Sequence, residues 1–178
     1  MNARTRRRLG PGALLAALML TAIQPANAAS ENSGVIHDKD YTNGFTSVAG
    51  ESCAFPLKAV GTNGIIHTKE WVDSDGNLSR VFFAGKGVNL TYTNLDTGKS
   101  VTIKTAGSVI NTTVNADGTA TLELMGHNGL SLFPSDVPAG PSTKLHIGRV
   151  VFTVDVTGVF TVLSVSGSER DICAELAN

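Results

Sequence analysis

Between residues 61 and 158 the sequence is interrupted, roughly every ten residues, by small groups that reverse a chain: Gly61-Thr62-Asn63-Gly64, Asp75-Gly76-Asn77, Asp96-Thr97-Gly98, Asp117-Gly118, Asn128-Gly129 and Thr157-Gly158. Glycine takes positive φ without a Cβ clash, and Asn and Asp bond their own backbone, so each group reads as a turn. The Thr-, Val-, Leu- and Phe-rich runs between them are too short for helices. They predict strands over 55–60, 65–72, 78–84, 88–94, 100–105, 109–114, 119–125, 130–133, 145–156 and 159–166. Alternation gives each strand one apolar side: Val150, Phe152, Val154 and Val156 share a face, and Thr153 and Asp155 share the other. Half-exposed strands of this kind suit an antiparallel sheet and argue against a parallel sheet covered by helices. The fold expected is all-β, an antiparallel barrel or barrel-like sheet of eight to ten short strands.

One segment near the end reads differently. Ser168 followed by Asp171 resembles a capping pair, Glu169 adds negative charge at the start of a helix, and Ile172, Cys173 and Leu176 fall on one side of a helical projection. A short C-terminal helix is therefore expected. The long loop is the proline-bearing stretch 134–141.

The beginning of the chain is of another kind. Arg4, Arg6, Arg7 and Arg8 precede an apolar run over 13–23, and Ala26-Asn27-Ala28 supplies the small residues that a signal peptidase reads. Residues 1–28 are expected to be a secretory signal peptide, 29–51 a flexible polar arm, and 52–178 a single β-domain. The apolar run is about half the ~20 residues that a membrane-spanning helix needs, so no membrane span is expected after cleavage. Arg6 and Arg7 also fit a twin-arginine signal, but Gly10 and Pro11 do not continue it, which favours the general secretory route. The product is expected outside the cell or in the cell-wall space.

Without residues 1–28, four arginines leave the fourteen basic residues and all fifteen acidic residues stay, for a net charge of −5. A nucleic-acid binder needs a basic surplus to displace counterions from phosphates, so nucleic acid is not an expected partner. Export also bears on the two cysteines, Cys53 and Cys173, which are expected to form a disulfide in an oxidising compartment.

No catalytic or metal motif emerges. The four histidines lack zinc-site spacing, and in a regular strand His67 and Glu70 point to opposite faces. Asp73-Ser74-Asp75-Gly76-Asn77 resembles a calcium loop, but Trp71 stands where its first carboxylate belongs and the closing Glu is missing, so it reads as a hairpin turn. Leu95-Asp96-Thr97-Gly98 matches the aspartic-protease element, yet Lys99 replaces the small residue that follows it and the mechanism needs a second carboxylate. No Gly-x-Ser-x-Gly elbow occurs. Neither metal nor cofactor is expected.

The set Cys53, Phe55-Pro56, the hairpin over 90–99, the Asp117-Gly118-Thr119 turn, Gly148-Arg149 and the ending 171–176 resembles small exported β-rich proteins of actinobacteria, a family of unknown function, from about residue 52 onward. The resemblance implies fold and bacterial export and carries no activity. The function expected is that of a non-catalytic module binding a small apolar ligand or a surface or extracellular protein partner. The rival is an exported hydrolase or isomerase with a carboxylate and histidine set inside the barrel. His67, Trp71, Tyr92 and His127 are the first residues to examine for it. A rigid, protruding segment over 133–142 would instead mark an inhibitory or structural protein.

Overall fold

The computed structural model describes residues 33–36, 43–86 and 88–177. The expected signal peptide and the remainder of the expected arm before residue 43, with His37, lie outside them. Among the described residues eleven strands form two antiparallel sheets. The small one orders β2 (Asn43–Ser47), β3 (Leu57–Thr62), β6 (Asn89–Asn94) and β7 (Ser100–Lys104). The large one orders β4 (Ile65–Val72), β5 (Leu78–Lys86), β8 (Ser108–Val114), β9 (Ala120–Leu132), β10 (Ser142–Val154) and β11 (Phe160–Asp171), with short β1 (Ser33–Ile36) on its β4 edge. Among the described residues one helix, α1 (Ile172–Leu176), follows the last strand.

The two sheets come from one meander whose strands bend. β3 runs into β4 through Asn63 and Gly64, and β7 into β8 through residues 105–107. Neighbouring strands stay paired on both sides of these bends: β3 with β6 and β4 with β5, then β6 with β7 and β5 with β8. The bends fall on one line across the large sheet. Ile66 pairs with Gly85, Gly85 with Ser108, Ser108 with Gly126, Gly126 with Gly148, and Gly148 with Gly167. Gly126 and Gly148 have φ of 95° and 146°, and a Cβ on Gly148 would sit 2.2 Å from the Ser166 carbonyl oxygen. A row in which four of six residues lack a Cβ lets the sheet fold along it.

Two apolar clusters lie on opposite faces of β9 and β10. On one face Leu122, Leu124, Val150, Phe152, Val154 and Phe160 form the first, which continues past the fold line to Leu130 and Leu132, with Phe152 and Phe160 stacked 5.1 Å apart. On the other, Leu145 of β10 belongs to the second cluster, with Leu57, Tyr92, Ile103, Ile172 and Leu176. Leu145 has the opposite strand parity from Val150 and Phe152, so β10 feeds one cluster from each of its faces. Cys53 and Cys173 are joined, their Cα atoms 5.5 Å apart across 120 residues of sequence, and this clamps the helix to the segment before β3. The Thr143 amide donates to Cys173 Sγ and the Thr143 hydroxyl to the Ser52 carbonyl, closing the polar rim of the clamp. Asn94 Nδ2 donates to the Leu176 carbonyl and satisfies one helix-end acceptor.

Several expectations change. The sheets are open and do not close into a barrel among the described residues, because the bent strands separate β7 from β9 below the fold line and leave β7 and β11 as edges. The expected strands 119–125 and 130–133 are one strand, and Asn128-Gly129 lies inside it. There the Tyr92 side chain packs against Gly129, where no Cβ intervenes. Part of the expected arm is strand, since β2 pairs with β3. Ser168 and Glu169 continue β11, and the helix cap is Asp171, which accepts from the Ala174 amide at 2.9 Å.

Candidate functional site

The four residues singled out from the sequence do not converge. His67 and Trp71 lie two positions either side of Lys69 on β4, and His127 lies on β9 opposite Ile147. Tyr92 is buried in the second cluster, where burial pushes its phenol up to about 12. Trp71 carries two cations over its ring, Lys69 and Arg80. Among the described residues no three His, Cys, Asp or Glu side chains are grouped to hold a metal ion.

The acidic turn motifs have structural work. Asp73 accepts from the amides of Asp75 and Asn77, both at 2.9 Å, and these bonds with Asn77 foremost hold its carboxyl below the usual range. In the 95–98 turn, Asn94 Oδ1 accepts from the Asp96 amide and Gly98 has φ 74°. Both segments are hairpin ends.

The structure brings together a different set: Lys144, His146 and Glu169. The β10–β11 register places Glu169 opposite His146, and Lys144 lies two residues earlier on the same face. Lys144 Nζ is 2.8 Å from Glu169 Oε2, and His146 Nδ1 is 3.2 Å from Glu169 Oε1. The second contact is within ion-pair distance but lacks hydrogen-bond geometry, so Nδ1 has no hydrogen-bond partner although His146 is only 5 % exposed. Burial lowers the His146 pKa, Glu169 opposes that and Lys144 adds to it, so the imidazole is neutral at pH 7. The Lys144 ammonium, and secondarily His146, lower the Glu169 pKa against its partial desolvation. Asn128 pairs across from His146 on β9, buried, with its Nδ2 also unpartnered.

Lys144, His146 and Glu169 form the polar end of a cavity of about 100 Å³ whose remaining lining includes Leu130, Leu132, Pro138, Val162 and Val165. Pro138 belongs to the long loop, which lies against the sheet instead of protruding. Buried Asp136 accepts from the amides of Phe133 and Phe160, and the Val137 amide donates to the Phe160 carbonyl at 2.8 Å. Ser142 also lines the cavity. It is four residues from His146 along an extended strand, roughly 13 Å, which is beyond hydrogen-bond reach, so the set has an imidazole and a carboxylate but no nucleophile beside them. An apolar cavity of about 150 Å³ holds benzene, and most ligand pockets span about 300–1,000 Å³, so this one suits a molecule of about five heavy atoms.

One sequence signal pointed to this set. Reflecting the chain through the Thr157-Gly158 turn places residue 146 opposite 169, but reading Ser168 as a helix cap removed Glu169 from the strand. No protein family, curated protein or solved structure matches the chain.

Proposed function

We propose that the chain is an exported, disulfide-stapled binding module without catalytic activity, and that its ligand is a short aliphatic molecule with a neutral hydrogen-bonding head. One observation carries the reading: His146, which lines the polar end of an otherwise apolar cavity, has a buried Nδ1 without a hydrogen-bond partner, and Asn128, paired across from it on β9, has an unpartnered Nδ2. Unpaired buried polar groups are costly, and a ligand hydroxyl or amide that meets them recovers that cost. The head is neutral because Lys144 and Glu169 already balance each other, and a charged head would have to break that pair. The body is short because the cavity is small. A ligand of five heavy atoms binds no more tightly than roughly micromolar, at a ceiling of about 1.5 kcal/mol per atom.

Titrating butyramide or 1-butanol into ¹⁵N-labelled protein tests this directly. Saturable amide shifts at 130–132, 144–146 and 165–169 are expected, and Leu132→Phe, which fills the cavity, should abolish them. Shifts that are absent, or that persist in Leu132→Phe, would remove the small-ligand reading. Export is tested separately by the mass of the protein recovered from culture medium, expected to begin at Ala29 and to be two hydrogens lighter than the dithiol form.

A further inference from the structure

The outer face of β4 and β5 gathers cations around the only tryptophan in the chain. Strand alternation puts His67, Lys69 and Trp71 on that face from β4, and Arg80 and Lys86 from β5. Trp71 pairs directly with Arg80. Lys69 Nζ lies 5.0 Å and Arg80 Cζ 4.7 Å from the indole centroid, and Arg80 Nε donates to Asn111 Oδ1 at 2.8 Å. The indole therefore acts as a platform that holds an ammonium and a guanidinium each within 5.0 Å of its centroid, and Asn111 fixes the orientation of the latter.

No ion pair among the described residues includes either cation, and Glu123, which lies on the same face across from Asn111, is held by Arg149. The four ion pairs among the described residues lie on β9, β10, β11 and α1, and none includes Lys69, Arg80 or Lys86. The acidic side chains nearest in sequence are turned elsewhere. Glu70 belongs to the opposite face of β4, and Asp73 is bonded into its own turn. Two cations stacked on one ring repel each other, and an anion supplied from outside relieves the repulsion. The chain beyond residue 28 is acidic, so these cations stand out against a negative background.

We propose that this face binds an acidic polysaccharide, with Arg80 and Lys69 taking carboxylates along the glycan and Trp71 acting as the positioning residue that holds them. A carboxylate fits the bidentate guanidinium, and carboxylates spaced along a sugar chain can engage several separated cations at once. Single-stranded nucleic acid is the poorer match. It needs an open aromatic ring for base stacking, whereas this indole is covered by its two cations.

Trp71, as the sole tryptophan, supplies the readout. Titration of the disulfide-bonded protein with polygalacturonate should shift or quench its fluorescence saturably, with affinity falling as salt rises. Lys69→Gln with Arg80→Gln, which keeps the fluorophore, should weaken binding by about tenfold or more at an unchanged melting temperature. The charge-matched control Lys58→Gln with Lys104→Gln, on the small sheet, should bind as the wild type does. Four results would each overturn the proposal: no response to polygalacturonate, an equal response to neutral dextran, tighter binding of oligodeoxythymidylate, or equal weakening by the control pair. Saturation by inorganic phosphate at the same concentration of charge would likewise reduce the face to a single-anion site and refute a polymer partner.

Discussion

The fold line makes a quantitative demand on Gly148. Its φ of 146° is one that side chains rarely adopt, and a Cβ there would meet the Ser166 carbonyl oxygen at 2.2 Å and the Gly167 Cα at 2.9 Å, both backbone atoms of the paired strand. Neither can move without displacing β11. Gly148→Ala therefore pays a conformational penalty of about 1–3 kcal/mol and a packing penalty of about 1–3 kcal/mol, together roughly 2–6 kcal/mol. Gly98 supplies the internal control. It has φ 74° in a hairpin turn, with nothing within 4 Å of an added Cβ, so Gly98→Ala meets the conformational penalty alone. Urea unfolding of both variants with the disulfide intact, followed by far-UV circular dichroism, measures the difference. Gly148→Ala should lose at least about 1 kcal/mol more than Gly98→Ala. Equal losses would refute the claim that close backbone approach along the glycine row bends this sheet.

Further outcomes follow from the same structure. Removing the disulfide by Cys53→Ala with Cys173→Ala opens a loop with a sequence separation of 120, and loop-closure entropy puts the loss at roughly 5 kcal/mol, seen as a lower urea midpoint; a loss below about 1 kcal/mol would deny it a stapling role. His146 has a folded pKa below its unfolded value of about 6.5, so the unfolded chain binds the extra proton first and stability should fall as pH drops below about 6.5, until the folded pKa is passed. His146→Phe should flatten that part of the pH profile, and an unchanged slope would exclude His146 as its source. Tyr92 has a folded pKa of about 12 against 10.0, so its contribution is complete below pH 10 and is lost as pH rises toward 12. Absorbance titration at 295 nm in a Tyr41→Phe background should find this phenol still protonated at pH 11.

The strand meander was legible because its information is local. Turn chemistry at Asp75-Gly76, Asp96-Thr97-Gly98, Asp117-Gly118 and Thr157-Gly158 coincides with chain reversals, and β4 runs over the span its alternation indicated. The exceptions have a common cause in tertiary context. Asn128-Gly129 has the composition of a turn, but Gly129 is needed where the Tyr92 side chain approaches, and Asn128 pairs across from His146. Ser168 has the chemistry of a cap, but the pairing of β11 with β10 continues to Asp171 and carries the strand past it. The open sheets were not legible either, because a glycine reads the same in a turn and in a bend, and only the alignment of Gly85, Gly126, Gly148 and Gly167 across paired strands distinguishes the two.

The candidate site shows the same limit from the side of chemistry. His67, Trp71, Tyr92 and His127 were chosen by residue type, and the fold separates them because type does not encode which cluster or face a strand residue joins. Lys144, His146 and Glu169 met through register instead: parity joins the first two, and the hairpin through Thr157-Gly158 brings the third. Register also explains why this set is poorly suited to nucleophilic hydrolysis. Side chains on one face of a strand recur about every 7 Å, so a strand can present an ammonium beside an imidazole, while the serine that would complete a relay, Ser142, falls two steps away. A set with matched charges and an unpaired imidazole nitrogen, but no serine within reach, has the geometry the proposed head-group contact requires and lacks that of a serine relay.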